Sequence, residues 1–449
     1  MEWHVVYSRP GFVITIASRD DAMTVDSKGR LYEPLRVQPQ GAFSNSQGLT
    51  YDLNMWRVAV QRLGPRYALQ LGAQSLQLKP LTVPRMVQDS SAWATITPKL
   101  SGICGSDLGL LRGSGSPYLA PLISWPVMLG HEIVGTVASS NTPWHRGQRV
   151  VVNPTLSCGA RGLPPCMECQ AGNPDGCWQR HHGGLGPGLL IGFNREIPGG
   201  WSAKMWVPVD QLIPVPADLD DRRAVLVEPA SIVYQGLTRV DWNRVSTVLI
   251  IGAGTIGLLS TWLIATQHPD VLIVQRCRYP HQATVASSVG ARRVQVGGSD
   301  GEFASSARLD EWVGPVLPKF FGGGPYRPGG FDLVVDSVGT QQSLGQGLSL
   351  VRPDGQFLLL GGAGRINLDL APVWSRRLTV IGTYGYGSPE MPPNTTFQTV
   401  VSALHQTAYP IESVVTHTVL LSQFREAFHI LGDRTTHAIK VAFQNDLAQ

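Results

Sequence analysis

The pattern of apolar and polar positions changes near residue 225. Before that point, short β-branched runs such as IVGTVASS and VVNP are interrupted every few residues by Gly or Pro, which is typical of an antiparallel β domain closed into a barrel. After it, apolar runs such as STVLIIGAG alternate with helical patterns such as TIGLLSTWLIATQ, which is typical of a parallel sheet covered by helices on both faces. The sequence therefore predicts an α/β protein with a β-barrel domain followed by a doubly wound parallel-sheet domain.

Three segments do not follow this two-domain pattern. Residues 1–54 contain Gln/Ser/Gly-rich text and are predicted to be an N-terminal extension of unknown role. A flexible extension, a small added strand pair and an over-long start, with Met55 as the alternative initiator, all remain open. The Gly/Pro-rich stretch within 298–330 is predicted to be a surface insertion. From about residue 389 the signals become mixed again, with FREAFHILG as an amphipathic helix and HAIKVAF as a last strand.

Composition and charge limit the classes of partner. Of the 449 residues, 43% are hydrophobic, which is ordinary for a globular chain, and the formal net charge is only +4. The chain has no run of basic residues, so we expect no nucleic-acid partner. It has no apolar stretch of about 18 residues and no signal-peptide pattern at its start, so we expect no membrane association and a cytoplasmic location.

Four cysteines fall within one short segment, CGARGLPPCMECQAGNPDGC. Cys158, Cys166, Cys169 and Cys177 have the spacing C-x7-C-x2-C-x7-C, and a C-x2-C pair in a Gly/Pro-rich loop is typical of a zinc site closed by four thiolates. Two disulfides are the alternative, but they would require an oxidising compartment, which nothing else in the sequence indicates. The sequence therefore favours a structural zinc lobe over 158–177.

A glycine-rich motif, GAGTIG, follows the apolar strand VLII. Gly252, Gly254 and Gly257 have the G-x-G-x-x-G spacing, in which glycine allows a tight turn, close approach of the backbone to a pyrophosphate, and close packing of the following helix. Together with Thr255 and Ile256 they form the predicted dinucleotide-binding turn, because a strand precedes the motif and a helix follows it. A purely structural strand-turn-helix is the alternative.

The residues about twenty positions after this turn bear on the choice of cofactor. An NAD site usually has an acidic side chain there to bind the ribose 2′-hydroxyl. This chain has Arg276 and Arg278 instead, and two guanidinium groups suit a 2′-phosphate. NADP is therefore favoured over NAD, with solvated surface charge as the alternative explanation of the two arginines.

A third constellation is GICGSD followed by LGHE. Cys104 and His131 are ligand types that suit zinc, and Glu132 adjoins the histidine. A catalytic zinc uses three protein ligands and leaves one position open, so this set is a candidate for the working metal. Taken alone, Cys104 could equally be a small buried apolar residue.

These motifs together resemble a known family. GICGSD, LGHE, the four-cysteine lobe, VEP at 227–229 and GAGTIG occur in the order found in the zinc-dependent medium-chain dehydrogenases/reductases, and the likeness runs from about Met55 to the C-terminus. The resemblance implies a GroES-like catalytic domain formed by 55–230 and by the returning segment 389–449. It also implies an NAD(P)-binding Rossmann domain over 231–388 and an active site in the cleft between the domains.

The resemblance also assigns roles to the residues at the motif positions. It implies that Cys104 and His131 bind a catalytic zinc, with Glu132, Glu228 of VEP, or both as the further acidic ligand. It implies that Ser106 passes the alcohol proton outward. Asp107 corresponds to a carboxylate that supports the metal site from behind the ligands.

The chain departs from the family pattern in three ways. The first two lobe cysteines are separated by seven residues where many members have two, so the first loop of the lobe is enlarged. Gly109 occupies a position where many members place a histidine that extends the proton relay. The acidic residue of the cofactor site is missing, as described above.

The function implied is hydride transfer between NAD(P) and an alcohol, polyol or carbonyl substrate, with two zinc ions per chain and a homo-oligomer, dimer or tetramer. Two other hypotheses remain. One is a zinc-stabilised dinucleotide-binding protein without catalysis, which would not need the GICGSD and LGHE residues together. The other is a metal-free quinone reductase of the same superfamily, which both sets of thiols oppose.

Aromatic residues near the motifs have two predicted roles. Trp201 and Trp206 are expected to pack beneath the barrel. Tyr118 and Trp125 lie between the GICGSD and LGHE motifs, where the family lines its substrate pocket, so we expect them near the substrate.

Overall fold

The computed structural model describes residues 24–25, 31–32, 46–52, 68–84, 87, 92–139, 144–297, 309–317 and 326–448. Most of the predicted extension 1–54 and parts of the predicted insertion 298–330 lie outside these residues. The described helices are α1 Ala68–Gln74, α2 Gly105–Leu111, α3 Met167–Gln170, α4 Asp221–Ala224, α5 Val227–Leu237, α6 Thr255–Gln267, α7 Pro280–Ser288, α8 Asp310–Val313, α9 Gln341–Leu350, α10 Ala371–Ser375, α11 Pro393–Gln406 and α12 Phe424–Gly432.

The described strands form two large sheets, one small sheet and one short hairpin. Their bounds are β1 Thr24–Val25, β2 Leu31–Tyr32, β3 Gln47–Tyr51, β4 Gln77–Pro80, β5 Trp93–Gly102, β6 Val127–Met128, β7 Glu132–Ser139, β8 Arg149–Val152, β9 Met205–Pro208, β10 Leu212–Pro214, β11 Thr247–Ile251, β12 Leu272–Cys277, β13 Arg293–Val296, β14 Phe331–Asp336, β15 Val351–Leu359, β16 Thr379–Gly382, β17 Val415–Leu420 and β18 Lys440–Gln444.

The parallel sheet occupies the second half of the chain. Six strands lie in the order β13-β12-β11-β14-β15-β16, and every neighbouring pair is parallel. The central strands are continuous apolar runs because helices cover both faces of the sheet, and four of the five residues of β11 are buried. The strand order reverses beside β11, which places the glycine turn that follows this strand at the carboxyl edge where such sheets bind ligands.

The antiparallel sheet belongs to the first domain. Its strands follow the order β10-β8-β7-β5-β18-β17, and β9 also pairs with β5. β5 is the central strand, and its last residue, Gly102, pairs with Glu132 at the start of β7 and with Ala442 of β18. Trp201 and Trp206 are fully buried in the cores of this domain, as predicted. The two motifs that carry the candidate metal ligands are therefore brought together by one strand pair.

Segments near both ends of the chain contribute strands to the first domain. β3, which falls within the predicted extension 1–54, pairs with both β4 and β6, and its Leu49 and Tyr51 are buried in the core of the first domain. This part of the predicted extension therefore belongs to the first domain. At the other end, β18 pairs with β5 and β17 pairs with β18, so both strands belong to the same sheet as β5.

Helix α5 lies where the two domains meet. It packs against α6 of the parallel-sheet domain and against α11, and its residues belong to a core that also includes residues of the antiparallel sheet. Nine of its eleven residues are buried. A side chain at the start of α5 can therefore face the junction of the two domains.

Among the described helices, none combines the length and apolar character that a membrane crossing requires.

Candidate active site and zinc lobe

The four cysteine thiols of the lobe converge on one point. The Sγ atoms of Cys158, Cys166, Cys169 and Cys177 all lie within 4.8 Å of one another. Sγ of Cys177 is 3.5 Å from that of Cys158 and 4.0 Å from that of Cys166, which brackets the spacing of about 3.8 Å expected for four thiolates around a tetrahedral zinc. All four are free cysteines, and a disulfide requires about 2.05 Å. The arrangement fits one closed zinc site, and none of the four sulfur atoms is bonded to another.

Backbone N–H groups in the lobe face the sulfur atoms. The N–H of Cys166 donates to Sγ of Cys158, and the N–H of Gln179 donates to Sγ of Cys177, both at 3.4 Å. Burial alone would raise the pKa of Cys166, but backbone hydrogen bonds from Cys169 and Trp178 lower it to about 6. The loop therefore favours a thiolate at this position near neutral pH.

The enlarged first loop of the lobe contains a buried arginine. Arg161 is only 1% exposed, and its guanidinium donates to main-chain carbonyl groups on both sides of the lobe. The acceptors are Leu156 at 3.4 Å, His182 at 3.3 Å, Leu185 at 3.0 Å, Gly186 at 2.9 Å and Gly188 at 2.7 Å. These bonds attach the seven-residue spacer to the loop that follows the lobe, so the longer spacing does not leave the lobe open.

The GICGSD motif forms the turn into helix α2. Asp107, fully buried, accepts a hydrogen bond of 2.9 Å from the backbone N–H of Cys104, which fixes the residue that precedes the helix. Gly102 must lack a side chain, because a Cβ there would lie 1.8 Å from Oε2 of Glu132. The glycine of the motif thus provides the space in which the carboxylate of the LGHE motif lies.

His131 lies between the two polar residues of helix α2. Its Nε2 is 3.4 Å from Oγ of Ser106, and its Nδ1 is 3.5 Å from Oδ1 of Asp107. Burial alone would lower the pKa of His131. The negative charges of Asp107 and Cys104 raise it by more than burial lowers it, so the pKa lies well above the ordinary value for histidine. The ring also packs at 5.3 Å from that of Phe193. His131 is therefore held among groups that interact with its charge on both ring nitrogens.

Glu132 has a partner that the sequence reasoning missed. Nζ of Lys440 donates to both Oε1 and Oε2 of Glu132 at 2.6 Å and to the carbonyl of Ile103 at 3.0 Å. Lys440 and Glu132 are 3% and 1% exposed, so this is a buried ion pair. Burial lowers the pKa of Lys440, but the charges of Glu132 and Cys104 raise it above its usual value. A lysine inside the apolar strand HAIKVAF was the available signal.

Glu228 lies at the start of α5 and also has a side-chain hydrogen-bond partner. Its Oε1 accepts a hydrogen bond of 2.5 Å from the hydroxyl of Tyr386, a second residue that the sequence analysis did not single out. Both side chains are buried. Burial raises the pKa of Glu228 to about 7, with the charge of His131 acting in the opposite direction and that of Glu132 in the same direction. The carboxyl group is therefore buried with a raised pKa and one hydrogen bond, from Tyr386.

These groups suit a zinc ion in their chemistry. Cys104 offers a thiolate, His131 an imidazole and Glu228 a carboxylate, which are the three ligand types that zinc accepts. Nδ1 of His131 and Oδ1 of Asp107 are buried and, among the described atoms, have no hydrogen-bond partner. Within the described residues, only the four cysteines bring three or more ligand atoms within 4.8 Å of one another. The catalytic ligand assignment therefore stays a prediction.

The GAGTIG turn has the geometry that a dinucleotide requires. Gly252 has φ +98°, which favours glycine, and a Cβ at Gly257 would lie 2.0 Å from the carbonyl oxygen of Gly252. Gly254 immediately precedes α6, and a Cβ there would meet no described heavy atom within 4 Å apart from its own chain neighbours. This open space over the N-terminus of a 13-residue helix fits a pyrophosphate.

The two arginines of the predicted cofactor site have different surroundings. Arg276, at 7% exposure, donates from Nη1 to Oε1 of Gln346 at 2.9 Å, so its guanidinium is held against α9. Arg278 is exposed and its guanidinium lies 5.6 Å from the ring centre of Tyr279. Arg278 is therefore the freer of the two to reach a ligand.

Trp125 and Tyr118, the two aromatic residues predicted to lie near the substrate, differ from each other in burial. Trp125 packs edge-on against Tyr51 at 5.7 Å and borders the core that includes Phe193, the neighbour of His131. Tyr118 is 87% exposed, so its side chain lies largely at the surface.

Gly109 stands where many family members have a histidine. A Cβ built at Gly109 would have only Oγ of Ser114 within 4 Å, at 3.9 Å, so the space that such a side chain would enter is open.

Two family models match the chain. The alcohol dehydrogenase GroES-like domain matches residues 90–217, and the zinc-binding dehydrogenase domain matches residues 278–405. Together these two regions cover more than half of the chain and fall in the antiparallel and parallel-sheet domains respectively. The predicted fold class, a GroES-like domain with a Rossmann domain, is confirmed.

Individual proteins show the same relationship. The chain is 24% identical to a sorbitol dehydrogenase of Halalkalibacterium halodurans over 82% of this chain and 95% of that protein, and 23% identical to D-arabinitol dehydrogenase 1 of Uromyces fabae over 76% and 87%. A solved zinc-binding dehydrogenase of Sinorhizobium meliloti bound to NADP superposes with a TM-score of 0.65 at 21% identity, covering 89% of this chain and 99% of that one. The chain thus belongs to the zinc-dependent medium-chain dehydrogenase/reductase family.

Proposed function

We propose that this protein is a zinc-dependent oxidoreductase that transfers hydride between an alcohol or polyol and NAD(P). The observation that carries the proposal is the junction of the GICGSD and LGHE motifs, where Asp107 accepts the N–H of Cys104 at 2.9 Å and lies 3.5 Å from Nδ1 of His131. Three protein ligands leave one position of a tetrahedral zinc for substrate. The relatives named above act on polyols, and a polyol or simple alcohol is the substrate class that we assign.

Each residue around this site has a separate proposed role in the reaction. Bound zinc would supply a Lewis acid that lowers the pKa of an alcohol, and the dinucleotide would supply the hydride acceptor. Ser106, whose hydroxyl lies 3.4 Å from Nε2 of His131, accepts the alcohol proton. Asp107 fixes the backbone of Cys104 and faces Nδ1 of His131, so it orients two ligands at once. Because Gly109 offers no side chain, the proton passes from Ser106 to water.

We assign the third ligand position to Glu228 and not to Glu132. Both oxygens of Glu132 accept hydrogen bonds from Lys440, and separating that buried pair would leave a lysine charge without its partner. Glu228 accepts its hydrogen bond from a neutral hydroxyl and through Oε1, so its Oε2 can face the metal without breaking an ion pair. Glu132 then acts as a fixed negative charge beside the site.

The preferred cofactor is NADP, and Arg278 is the residue that selects it. The support is its exposed position just after β12 and the absence of an acidic residue in QRCR at 275–278. Arg276 is held by Gln346 and shapes the pocket without contacting the phosphate. Replacing Arg278 with Ala should raise KM for NADP about tenfold or more and leave KM for NAD nearly unchanged.

The protein carries two zinc ions per chain and forms a homo-oligomer. The lobe thiols provide one complete ligand set, and we assign the second zinc to Cys104, His131 and Glu228. Support for the oligomer comes from the β16 edge of the parallel sheet, which pairs with no further strand among the described residues and where β16 and the adjacent α10 leave apolar side chains exposed. These are Leu370, Trp374 and Val380. Analytical ultracentrifugation of the wild type and of Val380→Lys tests this assignment.

A combined activity and metal measurement tests the proposed function. The purified zinc-loaded protein is assayed for NADP and NAD reduction against sorbitol, arabinitol, threonine and simple alcohols, and its zinc content is determined. We expect two zinc ions and turnover of at least one substrate, and Cys104→Ser should lose one zinc and about a thousandfold of kcat/KM while still binding the dinucleotide. One zinc ion in the wild type, with no turnover on any substrate, would support the non-catalytic hypothesis instead.

A further inference from the structure

A short segment between the two domains touches the candidate ligand Glu228. Residues 383–387, TYGYG, connect β16 to the loop before α11. Tyr386 in this segment is 1% exposed, and its ring packs at 5.1 Å from that of Phe397. Its hydroxyl donates the 2.5 Å hydrogen bond to Oε1 of Glu228. The orientation of the Glu228 carboxyl group thus depends on where this segment holds Tyr386.

The position of Tyr386 is in turn set by the cysteine lobe. Asp175 lies between the third and fourth lobe cysteines and is 6% exposed. Its Oδ2 accepts the backbone N–H groups of Tyr386 at 2.7 Å and Gly387 at 3.0 Å, and its Oδ1 accepts the hydroxyl of Thr155 at 2.8 Å. Three donors satisfy the buried carboxylate, and two of them belong to the segment that carries Tyr386.

The close approach of the two segments requires a glycine. Gly385 has φ +81°, a region that L side chains rarely adopt, and a Cβ there would lie 2.4 Å from Cγ of Asp175. The sequence therefore keeps Asp175 and the backbone at 385–387 in contact, with no side chain between them. This contact joins residues that are more than 200 positions apart in the chain.

We propose that the zinc lobe positions the catalytic metal ligand Glu228 through Asp175 and Tyr386, and that Tyr386 is a positioning residue for the catalytic zinc. The proposal rests on the proposed function, because it takes Glu228 as a zinc ligand. Folding of the lobe around its own metal fixes Asp175, Asp175 fixes the backbone of Tyr386, and the Tyr386 hydroxyl fixes one oxygen of Glu228. Groups that orient a metal ligand in this way typically contribute 10- to 100-fold to metal affinity, about the effect expected here.

The test measures metal affinity at the catalytic site. The lobe keeps its zinc while the catalytic zinc is removed by a chelator and replaced by Co²⁺, whose visible absorption reports the ligand geometry. Tyr386→Phe removes one hydroxyl without a change of shape, and we expect Co²⁺ affinity to fall about 10- to 100-fold with a changed absorption spectrum. Asp175→Asn should change both in the same direction. Tyr234→Phe makes the same chemical change on α5, six residues after Glu228, and should bind Co²⁺ as the wild type does.

A double-mutant comparison shows whether Tyr386 acts through Glu228. In a Glu228→Gln background, Tyr386→Phe should change Co²⁺ affinity less than about twofold, because its partner carboxylate is already gone. An equal loss in both backgrounds overturns the proposal, and so does wild-type affinity in Tyr386→Phe with the lobe zinc retained. A wild type that holds one metal ion only overturns the proposed function as well. Zinc content and near-ultraviolet circular dichroism identify any variant that fails to fold. Glu228→Asp then replaces Glu228→Gln, or Asp175→Asn replaces Tyr386→Phe, and the comparison is repeated.

Discussion

The cysteine lobe and the proposed catalytic site differ in how their candidate ligands are assembled. The lobe takes four identical ligands from 20 consecutive residues, and their sulfur atoms already lie within 4.8 Å of one another. The proposed catalytic site takes a thiol, an imidazole and a carboxylate from positions between 104 and 228, and its carboxylates have partners at 386 and 440. A closed structural site can be built locally, whereas an open catalytic site depends on the whole fold.

The partners also differ in chemistry. In the lobe, neutral backbone N–H groups face the sulfur atoms, so the metal supplies the main compensating charge. At the catalytic site, Lys440 already neutralises Glu132, and Tyr386 already bonds Glu228. We therefore expect the lobe to depend on its metal for stability and the catalytic region to fold without it. This contrast leads to three predictions of decreasing size.

The largest effect should come from opening the lobe. Cys166→Ala removes one of four thiolates, and we expect loss of one zinc ion and a decrease in the free energy of unfolding of about 4 kcal/mol or more, because binding energy at a structural site is folding energy. Denaturant unfolding with parallel metal analysis measures both. The control is Cys277→Ala, a buried cysteine outside the lobe, which should keep both zinc ions and cost about 1 kcal/mol.

Equal stability losses in Cys166→Ala and Cys277→Ala, with unchanged zinc content, would contradict the contrast between the regions. The lobe would then be a loop held by its own packing, in which Arg161 and its carbonyl acceptors carry the structure.

A smaller effect should come from breaking the buried ion pair. Lys440→Met leaves the carboxylate of Glu132 buried without its partner, and we expect a loss of about 3 kcal/mol in the free energy of unfolding with both zinc ions retained. Adding Glu132→Gln should recover much of this loss, since the uncompensated charge disappears. The exposed pair of Lys99 and Asp221, at 3.2 Å, provides the control, because Lys99→Met should cost at most about 1 kcal/mol.

Failure of Glu132→Gln to rescue Lys440→Met would mean that the lysine contributes by packing or through its bond to the carbonyl of Ile103, not by charge. Loss of the catalytic zinc in Lys440→Met would mean that Glu132 turns toward the metal when its partner is removed. That result would favour Glu132 over Glu228 as the third ligand.

Residues close in sequence explain what could be predicted. The lobe spacing and the strand-turn-helix at GAGTIG are local patterns, and the structure shows the clustered thiols and the helix that these patterns indicated. Lys440 and Tyr386 reach the site only because β18 pairs with β5 and because 383–387 crosses between the domains. The lysine within the apolar strand HAIKVAF signals a buried charge but not its partner, and the sequence around Tyr386 gives no corresponding signal. The charges of Glu132 and Glu228 therefore could not be assigned to roles without the fold.

The parallel sheet shows the same limit for a site that has no metal. Asp332, at the start of β14, accepts the N–H and hydroxyl groups of Ser246 and Thr247 at 2.8 to 2.9 Å and the Nε of Arg352 at 2.5 Å. The sequence offers no signal for this cluster, because its members lie on three separate segments. The pH dependence of this cluster can therefore be compared with that of the cysteine lobe and the proposed catalytic site.

The smallest predicted effect is the pH dependence of this cluster. Burial would raise the pKa of Asp332, but Arg352, Ser246 and Thr247 lower it to about 2, below the ordinary value of about 3.9. Its stabilisation is therefore complete above about pH 3.9 and is lost as the pH falls toward 2, about half of it by pH 3. Asp332→Asn should lower the free energy of unfolding by about 1 kcal/mol at pH 6, allowing for solvent screening, and by less at pH 3. Zinc release in acid should affect both proteins alike, so a difference between wild type and variant that stays constant from pH 6 to pH 3 would contradict the role assigned to Asp332.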